Sequence, residues 1–580
     1  MPDEGFLEQP GPAVCDPDET ASKPTQAGRS GRVWTGLPLL LVGVSLLPLV
    51  RDPFYSDAEH LPYQDLARSP NPLLDPARTA IADIGPYIEN QGTFRPLGRA
   101  FRAYATSWTV RIAEFSGLTP HVVWGLLRCL FGMAAAYGAL LLARSFVEVG
   151  SYDAPNNDEP AGDRLILPIC VAFSFGMIAA GLTGAPIFFP SSYLVVVLII
   201  GASLRWIARP ELWLSAPTLS PRHAARAVVS AAIGAALAAW GEVSAIAVPM
   251  VLFWAVVMLW VHRRDALRVL TSLGSICCGI LVASFLLVTV VGRMAIGRAC
   301  AAGGCYRYSE FGITSDTPST LVTRLWSSVP PVRYLWAISN VRAYLSVVVL
   351  VVAVVIATAV TILVTRRQPG PPASAAGTDE DGRSSLRLTP ATRPNVIPLV
   401  LAGAVLVVLS ELVPALSVGF QQATGRVGMG QAWRNSALSA AGWALVMTAI
   451  WLLVAPRVSR TVRRVMLVGI AAMWALVPVT NAAFAAWSAS STSGRVNAAI
   501  GRAFVSSGGA QDANCGLIRE WARLPPSAGG SADPDDRFTF MSTRLNGARQ
   551  SLGLPDFCPA AGDAGLGTSD AGPAAPSSPG

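Results

Sequence analysis

The sequence predicts an all-α, polytopic membrane protein with about eleven transmembrane helices. Two observations indicate this fold class. Of the 580 residues, 52% are hydrophobic and only 14% are charged, whereas a soluble domain carries roughly 25% charged residues. Apolar runs that are long enough to cross a bilayer, which takes about 20 helical residues, recur along the chain. The composition therefore argues strongly against a soluble enzyme.

The predicted spans are apolar runs joined mostly by short connections. They cover residues 33–50, 121–143, 165–184, 192–204, 227–240, 243–261, 269–292, 344–365, 396–416, 437–455 and 466–487. Three longer segments interrupt this spacing, at 51–120, at 293–342 and after residue 487. These three segments are assigned to the outer side, where any chemistry of the protein is expected.

Basic residues set the predicted orientation. Lys23, Arg29 and Arg32 directly precede the first run, which places the N-terminus in the cytoplasm. The later connections assigned to the cytoplasm are rich in arginine, for example at Arg263 and Arg264. An odd number of spans leaves the C-terminus extracytoplasmic. The net charge of +8 is explained by this bias and does not indicate a nucleic-acid partner.

Composition divides the chain into six regions. They are a disordered cytoplasmic tail (1–32), an N-terminal membrane region (33–367), a flexible cytoplasmic linker (368–394), a C-terminal membrane region (395–487), an extracytoplasmic tail (488–558) and a disordered end (559–580). The N-terminal membrane region includes the large outer loops 51–120 and 293–342. No internal repeat is evident.

Cysteine positions agree with this topology. Four cysteines fall inside apolar runs, where a small buried hydrophobe is the simplest reading: Cys129, Cys170, Cys277 and Cys278. The pair Cys300 and Cys305 and the pair Cys515 and Cys558 fall in segments assigned outside, where disulfides are permitted. A bridge between Cys515 and Cys558 would staple a small tail with a marginal core.

The first outer loop opens with three acidic residues, Asp52, Asp57 and Glu59. Carboxylates held just above a membrane can act as a general base towards a hydroxyl group or coordinate a divalent cation. The alternative is an ordinary solvated loop, in which such a pattern is common.

Later in the same loop, residues 94–115 combine two periodic patterns that predict an amphipathic interfacial helix. Apolar and aromatic side chains recur every three or four residues, while Arg95, Arg99 and Arg102 follow their own helical spacing on the opposite face. The arginines can present guanidinium groups to a phosphate. The alternative is a surface anchor attracted to anionic headgroups.

Three ionisable residues near or within apolar runs are also candidates for function. Glu242 lies in a tight turn between two runs, Arg128 lies inside the second run, and Glu411 lies inside a later one. Such groups are costly in a membrane unless they face a partner or a polar cavity. A structural ion pair between Glu242 and Arg128 is the plain alternative to a functional role.

Together these stretches resemble the GT-C superfamily of integral-membrane glycosyltransferases, mainly over the N-terminal half. The early D-x-E pattern at Asp57 and Glu59 is similar to the pattern that holds the catalytic carboxylate of that family. The segment GTFRPLGR is similar to a G-R-F-R-P-L stretch of several bacterial members of that family. The segment WGEVSAIAVP is similar to a turn with a lysine-glutamate pair in other members. Gly241 departs from the latter, because other members often have Lys there.

The resemblance implies a transferase that moves a sugar from a polyprenyl-phosphate carrier to a cell-envelope glycan or protein acceptor, at the outer face of a bacterial plasma membrane. It implies Asp57 as the base, with Glu59 as an assistant and Asp52 as a rival. Donor-phosphate binding is assigned to five residues: Arg95, Arg99, Arg102, Glu242 and Arg128. Arg426 and Arg434 are further cations without a matching motif.

Two other functions stay open from the sequence. One is a polytopic transporter or lipid flippase, for which charged residues at mid-membrane depth on several helices would be the mark. The other is a non-catalytic protein of envelope assembly. The sequence does not assign a cofactor. A divalent cation bound by the carboxylates of the first outer loop is the candidate.

Overall fold

The computed structural model describes residues 27–54, 59–149, 163–180, 184–187, 190–209, 212–213, 220–301, 311–341, 396–424, 435–506, 511–525 and 531–558. Over these ranges the chain is almost entirely helical and forms no β-sheet. The predicted all-α fold class is therefore confirmed for this part of the chain. The predicted linker (368–394) and end (559–580), the predicted span at 344–365 and most of the predicted tail (1–32) lie outside the described residues.

The helices are numbered here in chain order. In the first half they are α1 (Ala27–Leu46), α2 (Leu61–Ala67), α3 (Asp75–Ala82), α4 (Ile84–Gln91), α5 (Pro96–Ser116), α6 (Pro120–Glu148), α7 (Asp163–Gly176), α8 (Pro190–Ile207), α9 (Pro221–Trp240), α10 (Ala247–Val261), α11 (Ala266–Leu270) and α12 (Leu273–Ala301). In the second half they are α13 (Thr317–Ser328), α14 (Pro330–Val341), α15 (Ile397–Ala415), α16 (Val418–Thr424), α17 (Ser436–Val454), α18 (Arg460–Ser490), α19 (Thr492–Val505), α20 (Gln511–Arg523) and α21 (Pro534–Gln550).

Eight helices in the described ranges are long and apolar enough to cross a membrane, and they make this a multi-pass membrane protein. They are Pro120–Glu148, Pro190–Ile207, Pro221–Trp240, Glu242–Val261, Leu273–Ala299, Ile397–Ala415, Ser436–Val454 and Arg460–Ser490. Two shorter apolar helices, Gly36–Arg51 and Leu165–Gly176, accompany them. Each predicted run except 344–365 coincides with one of these ten helices.

Local sequence signals explain where several helices begin and end. Proline occupies the first turn of α5, α6 and α9, where its missing N–H costs no hydrogen bond. The hydroxyl group of Ser459 accepts a hydrogen bond from the backbone N–H of Val462 and caps α18. Gly92 and Gly117, with φ of 59° and 68°, end α4 and α5 in the left-handed conformation that favours glycine.

The membrane helices pack through small residues. A Cβ atom at Gly201 of α8 would collide with the backbone of Gly138 in α6, and Gly403 of α15 meets Gly442 of α17 in the same way. Close backbone contact of this kind is typical of helices in lipid, where van der Waals packing drives association. The result is one apolar core that is shared by most of the bundle.

One end of the bundle carries a helical cap, defined here as α2 to α5 together with α19 to α21. Its apolar core joins the first outer loop to the C-terminal tail, with Tyr63 and Leu66 of α2 against Phe504 of α19 and Leu545 of α21. The predicted disulfide between Cys515 and Cys558 is confirmed, and both cysteines lie in this core. The tail is thus not a separate unit, because it completes its small core with residues of the first loop.

Candidate functional site

The predicted amphipathic helix exists as α5, and its two faces have different surroundings. Arg99 is only 7% exposed, and Arg95 and Arg102 are half-buried. On the apolar side, Trp108 is 40% exposed and Phe115 is 91% exposed. The basic side of α5 therefore turns towards the protein, and its apolar side is open to the surroundings. We call Arg95, Arg99 and Arg102 the arginine face.

The start of α5 contacts the tight turn after α9, so two stretches far apart in the sequence come together. A Cβ atom at Gly98 would collide with the carbonyl oxygen of Trp240. Gly241 has φ of 144°, and a side chain there would lie 3.4 Å from the Cβ of Arg95. Both glycines permit the close approach, and Glu242 begins the short 3-10 turn that follows.

Arg99 lies in a pocket of polar and aromatic groups. Its guanidinium group lies over the ring of Tyr87, and its Nη2 donates a hydrogen bond to Thr93 Oγ1 at 3.4 Å. Burial, and then the neighbouring charge of Arg102, lower the pKa of Arg99 to about 8, against the opposing attraction of Asp83, Glu242 and Asp65. The positive charge is therefore held at a cost that a bound anion would offset.

A narrow crevice adjoins this group. Its lining comes from the end of α3, from α4 and from the start of α5, and consists of Ala80, Ile84, Tyr87, Thr93, Phe94, Arg95, Pro96 and Arg99. Phe94 packs on Gly292 of α12, where an added Cβ would lie 3.2 Å from the ring. The crevice has so little free space that a sugar phosphate would enter only if a side chain such as Tyr87 moved.

The third arginine of the face pairs with a carboxylate that no sequence motif indicates. Arg102 Nε lies 3.7 Å from Asp65 Oδ2, and the same oxygen accepts a hydrogen bond from Thr106 Oγ1 at 2.6 Å. Asp65 is buried on α2. Its role could not be found from the sequence, since only the packing of α2 against α5 creates the contact.

The ion pair between Arg128 and Glu242, which the sequence left open as an alternative, does not form, because Arg128 pairs with Asp52. Arg128 is 2% exposed, and its Nη1 lies 3.4 Å from Asp52 Oδ2 while it donates a hydrogen bond of 2.8 Å to the carbonyl oxygen of Leu49. Asp52 Oδ1 accepts from Ser488 Oγ at 2.5 Å. Asp52 takes this place because it directly follows the short helical turn at the end of the first apolar run, which lies against α6. This fully buried arrangement favours a structural role for Asp52 and Arg128.

Of the other two predicted carboxylates, one lies within a short gap in the described residues and the other directly follows this gap. Asp57 belongs to residues 55–58, which are outside the described residues. Glu59 is buried, and its Oε2 accepts a hydrogen bond from Trp521 Nε1 of α20 at 2.9 Å. On the other side of the gap, the carbonyl oxygen of Phe54 accepts from Asn497 of α19 at 2.9 Å. The C-terminal tail therefore holds both flanks of the Asp57 segment.

A second buried polar group surrounds Glu411 of α15. Asn435 donates a hydrogen bond to Glu411, and the charges of Arg333 and Arg324 attract it. Arg333 of α14 also donates to the carbonyl oxygen of Gly176 at 3.0 Å and to Ser439 Oγ at 3.3 Å. The group joins α14, α7 and α17. Arg426 and Arg434, the two other candidate cations, lie outside the described residues.

Within the described ranges, no three His, Cys, Asp or Glu side chains are placed to hold a metal ion. Of the eight predicted site residues, the structure brings together Arg95, Arg99 and Glu242, with Arg102 one turn further along α5. Comparison of the chain with models of known families, with curated proteins and with solved structures finds no match.

Proposed function

We propose that the protein is a membrane glycosyltransferase of the GT-C type, which moves a sugar from a polyprenyl-phosphate carrier to a cell-envelope acceptor at the outer face of a bacterial plasma membrane. The observation that supports this function best is the meeting of Arg95, Arg99 and Glu242 at the edge of the membrane bundle. Two stretches that resemble the family only separately in sequence are neighbours in space.

The surroundings of the arginine face suit a ligand with an anionic head and a long apolar tail. Guanidinium groups bind phosphate oxygens through paired, charge-assisted hydrogen bonds. Beside the crevice, α12 presents an exposed aliphatic surface that includes Leu287, Val290 and Val291, of which Leu287 is 67% exposed. A phosphate near Arg99 and a lipid chain along α12 would satisfy both surfaces.

The departure at Gly241 is compatible with this proposal. Other members of the family often place a lysine before the turn glutamate, but a side chain at position 241 would lie against Arg95, at 3.4 Å from its Cβ. The positive φ of Gly241 also disfavours other residues. We infer that Arg95 supplies the cation that Gly241 lacks.

In the proposed reaction, Asp57 takes the proton of the acceptor hydroxyl group as its oxygen attacks the anomeric carbon of the sugar. The bond between that carbon and the phosphate oxygen breaks, and the polyprenyl phosphate leaves with the electron pair. Arg95 and Arg99 stabilise the charge that develops on the phosphate. The hydrogen bonds from Trp521 to Glu59 and from Asn497 to Phe54 fix the chain on both sides of Asp57.

We also propose that the chain has eleven spans with a cytoplasmic N-terminus and an extracytoplasmic C-terminus. The cap unites the first loop with the C-terminal tail, so an even number of crossings must separate them. In the described ranges, the eight long helices and the shorter apolar helix Leu165–Gly176 lie between them, and we count these nine as crossings. The segment before α13 lies near the cap, where Gly312 N donates a hydrogen bond to the carbonyl oxygen of Leu416, the residue that follows α15. Helix α15 thus ends near the cap and begins at the opposite end of the bundle. The apolar run 344–365 supplies the tenth crossing.

The transfer reaction is tested with the purified full-length protein in lipid nanodiscs, a labelled polyprenyl-phosphate sugar and envelope fragments as acceptor. We expect release of polyprenyl phosphate together with transfer of the label, and loss of both in Asp57→Asn with unchanged protein yield. Replacement of Arg95, Arg99 and Arg102 by Gln should abolish binding of the polyprenyl phosphate. Unchanged binding in that variant would contradict the donor site.

Topology is tested by maleimide labelling of intact cells that express Ser531→Cys or Arg264→Cys. Ser531 is exposed in the cap, and Arg264 is exposed at the opposite end of the bundle. We expect an impermeant reagent to label the first variant in intact cells and the second only after permeabilisation. The reverse pattern would overturn the orientation.

A transporter or flippase is the second candidate, and the Glu411 group favours it. A buried carboxylate with two buried arginines near the membrane is typical of translocation pathways as well as of structural clusters. Proteoliposomes that move a labelled lipid or solute, with loss in Glu411→Gln, would support this function over transfer. The remaining alternative, a non-catalytic envelope-assembly protein, predicts neither transfer nor movement.

A further inference from the structure

Asp65 is a buried carboxylate that the proposed reaction does not use, yet it touches the arginine face. Its Oδ2 lies 3.7 Å from Arg102 Nε and accepts the hydrogen bond of Thr106 Oγ1 at 2.6 Å. Thr106 follows Arg102 by one helical turn on α5. The hydroxyl group and the guanidinium group therefore fix the carboxylate from the same side of one helix.

Asp65 also lies within electrostatic reach of three further arginines of the cap. Its charge attracts Arg99 of α5, Arg68 after α2 and Arg544 of α21. Arg99 and Arg102 repel each other, since they are one turn apart and Arg99 is buried. A fixed negative charge between these groups offsets that repulsion.

We propose that Asp65 is a positioning residue for the arginine face. It holds Arg102 against α2 and reduces the net positive charge beside Arg99, so that Arg95 and Arg99 stay at the crevice with their charges directed at an anionic lipid headgroup. This inference rests on the proposed function, and it assigns to that site a carboxylate that does not touch the substrate.

The test measures binding of a polyprenyl phosphate and of the matching uncharged polyprenol to the full-length protein in nanodiscs. Asp65→Asn keeps the side-chain shape and an acceptor for Thr106 but removes the charge. We expect about tenfold weaker binding of the phosphate and unchanged binding of the polyprenol, in keeping with the loss of one charge-assisted contact. Asp65→Glu should restore most of the affinity.

A matched control is available in the same loop. Asp75 Oδ1 lies 3.7 Å from Arg78, which is the same separation as in the Asp65 pair, but Arg78 is largely exposed. Asp75→Asn should therefore leave phosphate binding unchanged. Thr106→Val removes the hydroxyl group that orients the carboxylate and should weaken phosphate binding by about threefold, because Asp65 loses one hydrogen bond but keeps its charge beside Arg102.

The outcomes separate this inference from the function on which it rests. If Arg99→Gln weakens phosphate binding while Asp65→Asn and Thr106→Val do not, the positioning role is wrong and the donor site stands. If Asp65→Asn weakens binding of phosphate and polyprenol equally, Asp65 is only structural and the inference fails. If none of these variants changes phosphate binding, the proposed donor site itself fails.

Discussion

Two groups of charged side chains lie close to the junction of cap and bundle, and they differ in how their charges are matched. Asp52 and Arg128 form one pair that is almost fully buried and hydrogen-bonded to Ser488 and to the backbone of Leu49. The arginine face instead places three cations on one helix against carboxylates of other elements. The matched pair ties helices together, whereas the face has cationic charge to offer to a ligand.

The largest expected effect comes from breaking the matched pair. Asp52→Asn leaves Arg128 as a buried charge without its counter-ion, which should lower the free energy of unfolding by about 3 to 5 kcal/mol. We expect a strong drop in thermal stability and in the amount of protein in the membrane. A stable Asp52→Asn variant that has lost only transfer activity would instead make Asp52 the base.

The disulfide is expected to have the next largest effect, because it lies in the apolar core of the cap that carries the arginine face. Replacing both Cys515 and Cys558 by Ser removes a constraint over 43 residues of sequence, which is expected to cost about 2 to 4 kcal/mol. Limited proteolysis should cut the tail of this variant faster while the bundle stays intact. Protection equal to that of the unmodified protein would mean that the apolar core alone holds the cap.

These two groups also show what the sequence could and could not predict. Ten of the predicted apolar runs coincide with apolar helices and α5 is the predicted helix, because apolar length and helical spacing are local properties of the chain. Asp52 as the partner of Arg128 and Asp65 as the partner of Arg102 were not found from the sequence, because both contacts depend on which helices meet. The spacing of the arginines predicts that they share one face of α5. The spacing does not predict that this face turns towards the protein, because that orientation depends on how several helices pack.

The segments around Arg95 and Glu242 are a part of the site that the sequence did indicate. Each segment is a separate candidate in the sequence, and the structure makes the two neighbours through the close contacts of Gly98 and Gly241. Glycine at these positions is a visible signal of close approach, although the partner of each glycine is not visible. The part of the first loop around Asp57 lies outside the described residues, so its assignment as the base stays a prediction.

Acid should loosen the cap, because a buried histidine of the cap must take up a proton when the cap unfolds. His60 packs against Phe540 and faces Arg544 of α21 and Arg102 of α5, and burial lowers its pKa from 6.5 to about 3. The unfolded chain binds a proton near pH 6.5 and the folded chain does not, so stability is lost as the pH falls below 6.5. At pH 5 this contribution is roughly 2 kcal/mol.

Unfolding of the cap is measured by limited proteolysis at pH values between 7 and 4. His60→Gln removes the titrating ring, so its profile should be flatter than that of the unmodified protein over this range. Parallel profiles would show that other groups, and not His60, cause the acid sensitivity.

The smallest expected effect on stability concerns the arginine face. Arg99→Met keeps the apolar part of the side chain against Tyr87 and removes a charge whose pKa burial lowers to about 8. We expect the free energy of unfolding to change by no more than about 1 kcal/mol, since removing a costly buried charge offsets the lost contacts. Arg128→Met, in contrast, should be strongly destabilising because it leaves Asp52 buried without its cation.

The two variants are compared by thermal unfolding and by binding of a polyprenyl phosphate. Retained stability with lost binding in Arg99→Met would mark the arginine face as a ligand site, while a large loss of stability would make it a second structural cluster.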